Sequence, residues 1–183
     1  MKLLPWQVEG NPWGTESKFI AYLRGVLRKG WSRYPIKLQY IKANRKRIVN
    51  PNPKAAERFK EVWGGTCEIC HIDHIQKDME IDHKGKQGTF TSINDIEAYS
   101  RHLFYVTLDD LRYICKKCHK IVSHSQRGNV SFDEASFQKD VIQIMKQPIN
   151  DIIEFILSYG DYDTSNVSKR KESVIAILNK YGI

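Results

Sequence analysis

The sequence contains no apolar run that approaches the ~20 residues needed to cross a membrane. Its opening stretch, MKLLPWQVEG, lacks the apolar core of a secretory signal. The chain also shows no internal repeat and no low-complexity tract. A hydrophobic fraction of 41% is ordinary for a soluble protein. We therefore expect a cytoplasmic protein whose 183 residues form one domain, or one domain with a small appendage.

Cysteine is scarce, and all 4 cysteines fall into two C-x-x-C pairs, Cys67/Cys70 and Cys115/Cys118. In a reducing cytoplasm, paired cysteines of this kind are metal ligands more often than disulfides. A thioredoxin-like redox role needs only one pair, whereas two pairs supply the four thiolates of a structural zinc site. With sulfur at every coordination position, such a zinc holds the fold and cannot itself activate water.

Acidic residues are scarce in the first third of the chain. Residues 1–63 hold 14 Lys and Arg against 4 Asp and Glu, so they carry a net charge of +10. Such an asymmetric basic arm favours an anionic polymer as partner, although a solvated charged face is the plainer interpretation. The candidate nucleic-acid contacts are Arg24, Arg28, Lys29, Arg33, Lys42, Arg45, Lys46 and Arg47.

Aromatic residues interleave with these cations at Trp31, Tyr34 and Tyr40. They could stack on or wedge between nucleobases, or they could equally belong to the core. Within the basic arm, the run of residues 45–47 is the best candidate for phosphate contacts, because three adjacent cations cannot all be buried.

Periodicity predicts mainly helices with a small strand-containing centre. The helical segments are residues 16–29, 36–47, 55–63, 93–103 and 116–126, followed by three helices between residues 131 and 181. Two strands are predicted near residues 79–82 and 111–114, with a polar loop at 84–91. We divide the chain into a basic helical DNA-binding arm (1–63), a zinc-stapled core (64–128) and a C-terminal helical appendage (129–183).

Three residues of the centre could carry chemistry. Asp82 and His83 are adjacent at a strand end, so their side chains diverge and have different roles. A carboxylate suits a hard cation such as Mg²⁺, and a histidine with a pKa near neutrality suits a general base. His119 follows Cys118 directly and could be the second protein ligand of the same cation. The plainer alternatives are a surface turn for Asp82-His83 and an incidental position for His119.

The arrangement C-x-x-C, then I-D-H, then L-x-x-I-C-x-x-C-H resembles the HNH, or ββα-metal, endonucleases of the zinc-bound treble-clef type. It is most similar to the small HNH proteins encoded by bacteriophages, over about residues 18–125. The resemblance implies an α+β chain, mainly helical, around a ββα-metal core. It also implies Zn²⁺ on the four cysteines, Mg²⁺ or Mn²⁺ on Asp82 and His119, and His83 as the general base. The implied substrate is double-stranded DNA in a bacterial host cytoplasm.

One position departs from that motif. Five residues before the third cysteine, where the family usually has Asn, this chain has Asp110. In the family this residue ties down the loop that carries the base, so Asp110 joins the candidate catalytic set. Because Asp accepts hydrogen bonds but cannot donate them as Asn does, a different loop geometry is possible.

Two other functions stay open at this point. The chain could be a zinc-dependent DNA-binding or regulatory module without catalysis, an alternative that Asp110 favours. It could also be a phage assembly protein that docks a partner, or a copy of itself, through residues 129–183. That segment has 6 Lys and Arg against 8 Asp and Glu, which argues against a grip on DNA.

Overall fold

The computed structural model describes residues 3–85, 88 and 90–182 of the chain. Its contacts divide the chain into two units, residues 1–119 and 120–183. Our division into the segments 1–63, 64–128 and 129–183 stays a prediction. The predicted border between residues 63 and 64 falls inside a strand, because part of the basic arm pairs into a sheet with the segment that follows it.

Two helices open the first unit: α1, Glu16–Ser32, and α2, Pro35–Asn44. The Thr15 side chain caps α1 by accepting a hydrogen bond from the Lys18 backbone N–H at 3.4 Å. Pro35 stands at the first position of α2, where its missing N–H costs nothing. The predicted helix over 36–47 is therefore too long by three residues, since α2 ends at Asn44.

A three-stranded antiparallel sheet follows, made of β1 (Lys46–Val49), β2 (Glu61–Thr66) and β3 (Asp73–Ile75) in that order. The helix predicted over 55–63 is wrong, because only a short 3₁₀ turn, Glu57–Phe59, precedes β2. Pairing between β1 and β2 buries Ile48, and this tertiary contact overrides local helix propensity.

The next elements have the order strand, helix, strand, helix. Strand β4 (Met79–His83) pairs antiparallel with β5 (Leu111–Cys115), and α3 (Ile96–Phe104) lies between them in sequence. Helix α4 (Lys116–Gly128) starts directly after β5. These elements confirm the strands and helices predicted for the centre. The predicted loop at 84–91 includes residues 86, 87 and 89, which lie outside the described residues.

The second unit contains three further helices: α5 (Phe132–Ile144), α6 (Ile149–Ser158) and α7 (Val167–Tyr181). Ser131 caps α5, since its hydroxyl accepts a hydrogen bond from the Glu134 N–H at 3.1 Å. The buried core of this unit consists of Val141, Ile152, Ile156, Val174, Ile177 and Leu178. None of the described helices is long and apolar enough to cross a membrane.

Candidate functional site

The two C-x-x-C pairs meet in space. The four Sγ atoms of Cys67, Cys70, Cys115 and Cys118 lie within 4.8 Å of one another. A tetrahedral zinc with Zn–S bonds of about 2.3 Å holds its sulfurs about 3.8 Å apart, so the cluster fits that ion. The first pair sits in the connection from β2 to β3, and the second joins the end of β5 to the start of α4. This cluster could bind a metal such as zinc.

Backbone N–H groups favour the thiolate form at the cluster. Burial of Cys67 raises its pKa, but hydrogen bonds from the N–H groups of Cys70, Cys115 and Ile69 outweigh burial and lower the pKa to about 7. The Cys115 N–H lies 3.3 Å from the Cys67 sulfur. At Cys67 the backbone therefore favours the thiolate, the form that coordinates metal, whereas burial raises the pKa of Cys70 and of Cys118.

A second constellation lies on one face of β4. Glu80 and Asp82, two residues apart, point to the same side of the strand, and the imidazole of His119 reaches both. His119 Nε2 is 3.4 Å from Asp82 Oδ1, and His119 Nδ1 contacts Glu80 Oε2. The hydrogen bond with Asp82 raises the pKa of His119, and this outweighs the opposing effect of burial. The structure thus brings Asp82 and His119 together and adds Glu80, which we did not predict.

Arg112 holds the other oxygen of Asp82. The two residues are cross-strand partners on β4 and β5. Arg112 donates from Nη2 at 2.6 Å and from Nε at 2.8 Å to Asp82 Oδ2. Burial alone would raise the pKa of Asp82, but hydrogen bonds from His119 and Arg112 keep it below its ordinary value. Asp82 is therefore ionised at neutral pH, with Oδ2 committed to Arg112 and Oδ1 facing His119.

The geometry of Asp82 and His119 is suited to a shared cation. Adjacent ligand atoms of an octahedral Mg²⁺ at 2.0–2.1 Å lie about 3.0 Å apart, and the observed separation of Oδ1 and Nε2 is 3.4 Å. Glu80 accepts the Nδ1 proton of His119, which leaves Nε2 as the nitrogen that can coordinate a metal. Carboxylates in this position commonly orient metal-binding histidines. A cation would have to displace the proton that Nε2 otherwise holds.

His83 lies on the opposite face of β4 from Asp82. Its ring contacts two tilted rings, that of Trp31 at 4.5 Å between ring centroids and that of His102 at 4.9 Å. Its Nε2 is 3.3 Å from the carbonyl oxygen of Leu103, so Nε2 carries the proton and Nδ1 carries the lone pair. Burial, followed by the charge of His102, lowers the pKa of His83. A neutral imidazole with a lone pair at Nδ1 can accept a proton.

Asp110 is occupied within its own turn. Its carboxylate accepts hydrogen bonds from the backbone N–H of Thr107 at 2.7 Å and from the Thr107 hydroxyl at 2.8 Å. Its backbone carbonyl accepts a hydrogen bond at 2.8 Å from the N–H of Lys84, the residue after His83. Asp110 thus fastens the chain next to His83 through its main chain, and its side chain shapes the 3₁₀ turn that leads into β5.

A cavity of about 330 Å³ opens beside this constellation. Its walls include Glu80 and His119 together with Trp31 and Lys37. The Lys37 Nζ lies 5.3 Å from the centre of the Trp31 ring. Burial lowers the pKa of Lys37, and the nearby Glu80 carboxylate partly offsets this. The cavity therefore combines an amine that could meet an anionic group with two residues of the candidate metal site.

The predicted nucleic-acid contacts are distributed over α1, α2, β1 and the residues that connect them. Arg28, Lys29 and Lys42 are exposed on the helices, and Arg33 is exposed directly after α1. Arg24 instead donates to the Phe90 carbonyl oxygen. In the run of residues 45–47, Lys46 pairs with Asp73 at 2.9 Å, Arg47 lies 3.7 Å from the Glu61 carboxylate, and Arg45 covers the ring of Trp63. All three remain at least partly accessible to solvent.

Comparison with known proteins finds no relative. The chain matches no family model, no curated protein and no solved structure. Any assignment of function must therefore stand on the geometry and on the motif.

Glu80, Arg112 and Lys37 were missed by the sequence reasoning. For Glu80 a signal was present, because a residue two before Asp82 on a strand must share its face. For Arg112 and Lys37 the sequence holds no such signal, since their positions depend on strand register and on the placement of α2.

Proposed function

We propose that this protein is a metal-dependent DNA endonuclease of the HNH type, with a structural zinc on its four cysteines. The observation that carries the proposal is the pair of atoms Asp82 Oδ1 and His119 Nε2, which lie 3.4 Å apart on a strand–strand–helix unit next to the cysteine cluster. This order of elements agrees with the motif of residues that resembles the HNH nucleases. The basic first third of the chain agrees with DNA as the substrate.

Each residue of the site has a separable role in this proposal. A Mg²⁺ or Mn²⁺ ion held by Asp82 and His119 would stabilise charge on the phosphate and on the leaving 3′ oxygen. Glu80 keeps the His119 ring in the orientation that presents Nε2. Arg112 fixes the rotation of the Asp82 carboxylate so that Oδ1 faces His119.

His83 serves as the general base. It accepts a proton at Nδ1 from the attacking water, because its Nε2 is held by the Leu103 carbonyl. Contacts with the rings of Trp31 and His102 restrict the orientation of the imidazole and therefore the direction of Nδ1. Lys37, in the wall of the cavity, provides positive charge for a phosphate oxygen.

A plasmid-nicking assay tests the proposal. Supercoiled plasmid is incubated with the protein in Mg²⁺, in Mn²⁺ and without added divalent cation, and nicked and linear products are measured over time. We expect cation-dependent nicking by the wild type and a loss of at least about 100-fold in His83→Ala, in line with removal of a general base. His124→Ala is the matched control, because His124 is bonded to Gln138 in the second unit and should leave nicking unchanged.

Nicking that persists in His83→Ala would show that the activity comes from a contaminant or another site. Nicking absent from the wild type in both metals would favour the second candidate, a zinc-dependent DNA-binding module without catalysis. Two observations favour that candidate: Arg112 already occupies one Asp82 oxygen, and His83 lies on the opposite face of β4 from Asp82. A gel-shift measurement on the same samples separates binding without cleavage from no binding.

A further inference from the structure

Trp63 is an exposed tryptophan on β2, the central strand of the small sheet. The side chain lies on β2 opposite Arg47 of β1 and is 44% exposed. Val49, on the same face, is 81% exposed, whereas Ile48 points to the other face and is buried. The indole ring and Val49 therefore form an accessible apolar surface on one face of the sheet.

Two guanidinium groups flank the Trp63 ring. Arg45 lies 4.3 Å from the ring centroid and Arg47 lies 5.5 Å from it. Arg47 is 3.7 Å from the Glu61 carboxylate, whereas no carboxylate of the described residues forms an ion pair with Arg45. The sheet face therefore presents a planar aromatic surface with at least one positive charge that no acidic side chain neutralises.

Packing on the same side of β2 covers the inner end of this face and fixes its position. Gly65, two residues after Trp63 on the same side of β2, has no side chain, and the Tyr113 ring of β5 occupies the space where a Cβ would stand. Tyr113 is itself buried. The inner end of the sheet is thus anchored against the β4–β5 pair, and the outer end, with Trp63, stays open.

We propose that the face formed by Arg45, Arg47, Val49 and Trp63 binds an unpaired nucleobase of a DNA strand, with the base stacked on Trp63 and a neighbouring phosphate held by Arg45. This inference rests on the proposed function for the identity of the ligand as DNA, but it does not depend on catalysis. It names the substrate class more closely: DNA with a single-stranded segment, such as a flap, a gap or a branch.

Charge complementarity selects a nucleotide as the occupant. A nucleotide combines a flat π surface with an adjacent negative charge, which matches an indole flanked by arginines. The charge of +10 over residues 1–63 extends the attraction beyond this face along a phosphate backbone. An acidic protein partner would meet the same charge, but it would leave the flat surface of the indole without a matching group.

Stacking also selects an unpaired base. In duplex DNA the faces of the bases are covered by their neighbours, so a ring on a sheet can reach only phosphates, sugars and base edges. A single strand exposes base faces, and a base–aromatic stack then forms without sequence preference. The proposed face therefore discriminates by strandedness rather than by sequence.

The test is a binding titration with labelled DNA. Fluorescence anisotropy is measured for a 20-nucleotide single strand and for its duplex, with Ca²⁺ in place of a catalytic cation. We expect Trp63→Ala to weaken binding of the single strand between about fivefold and a hundredfold, as the loss of one base–aromatic stack would. Duplex binding should change less than twofold. Trp63→Phe, which retains a ring, should recover most of the loss. Tyr105→Ala, which removes an exposed ring outside this face, is the control.

The salt dependence separates stacking from charge. Trp63→Ala should leave the slope of log K against log salt unchanged, whereas Arg45→Gln should flatten it by about 0.7 for one lost contact to a single-stranded phosphate. Zinc content and the thermal midpoint of each variant establish that it is folded. Equal weakening of single-stranded and duplex binding in Trp63→Ala, or no weakening of either, refutes the inference.

The outcomes for catalysis and for this face are distinguishable. If the wild type nicks plasmid but its binding to single strands does not depend on Trp63, the proposed function stands and this inference is refuted. If the wild type binds single strands through Trp63 but does not nick plasmid, this inference stands and the proposed catalytic activity is refuted. A protein that binds neither form of DNA refutes both.

Discussion

Loss of zinc should unfold the first unit and spare the second. Structural zinc contributes an apparent ~10–16 kcal/mol at pH 7 in small zinc-dependent folds. A whole domain has a free energy of unfolding of only ~5–15 kcal/mol. The four cysteines join the β2–β3 connection to the end of β5 and the start of α4, so without a metal these connections lose their common anchor. We therefore expect no stable folded state of residues 1–119 in the metal-free protein.

The second unit should keep its structure because it has a core of its own. Six buried side chains of residues 120–183 pack together, and none of them is a cysteine. Thermal unfolding followed by circular dichroism should therefore show one transition in the metal-free protein, with a helical signal that remains from α5, α6 and α7. The zinc-loaded protein should show the helical signal of the first unit in addition. Zinc content by atomic absorption should be one ion per chain.

Matched variants test which ligands matter. Cys115→Ser removes one buried sulfur ligand and should lower zinc content and unfold the first unit in the same way as a chelator. His74→Ala is the control, because its imidazole lies 3.7 Å from the Cys70 sulfur but is not one of the four predicted ligands. That variant should retain one zinc. If the chelated protein and the loaded protein melt alike, the cluster does not hold the fold and the reasoning fails.

Three further predictions concern the site and the second unit. Arg112→Ala should destabilise the first unit by about 2–4 kcal/mol in urea, because it leaves the largely buried, ionised Asp82 without its partner; an unchanged midpoint contradicts this. Lys37→Met keeps the stem but removes the charge, and should slow plasmid nicking at least about tenfold with zinc content unaltered, since it removes one electrostatic contact to phosphate. Ser131→Ala should cost the second unit about 1 kcal/mol of stability, measured as a lower thermal midpoint, whereas an effect on zinc content would show that the cap does more.

The cysteine cluster could be predicted from the sequence because its signal is local. Each C-x-x-C pair places two cysteines within four consecutive residues, so only the spatial proximity of the two pairs had to be inferred. Helices α5, α6 and α7 could also be predicted from the sequence, because apolar residues recur at helical spacing and a capping serine marks where α5 begins.

The small sheet could not be predicted in the same way. Residues 45–47 are basic, and Lys and Arg favour helices when nothing else decides. Strand β1 forms because Ile48 becomes buried when Lys46–Val49 pairs with Glu61–Thr66, a partner more than ten residues away. Strand propensity reflects such contacts more than any local preference. The exposed position of Trp63 follows from this pairing and was hidden for the same reason.

Strand β4 places Asp82, the proposed metal ligand, and His83, the proposed general base, on opposite faces. This limits how a phosphodiester can approach both side chains. Asp82 faces His119, and His83 faces Trp31 and Leu103. Because β4 ends at His83, the two faces meet at the end of the strand, next to Lys84. Under the proposed function the scissile phosphate must therefore lie across this end, where it could approach both Asp82 Oδ1 and His83 Nδ1. A DNA strand bound along one face alone would contact either the metal ligand Asp82 or the general base His83, but not both.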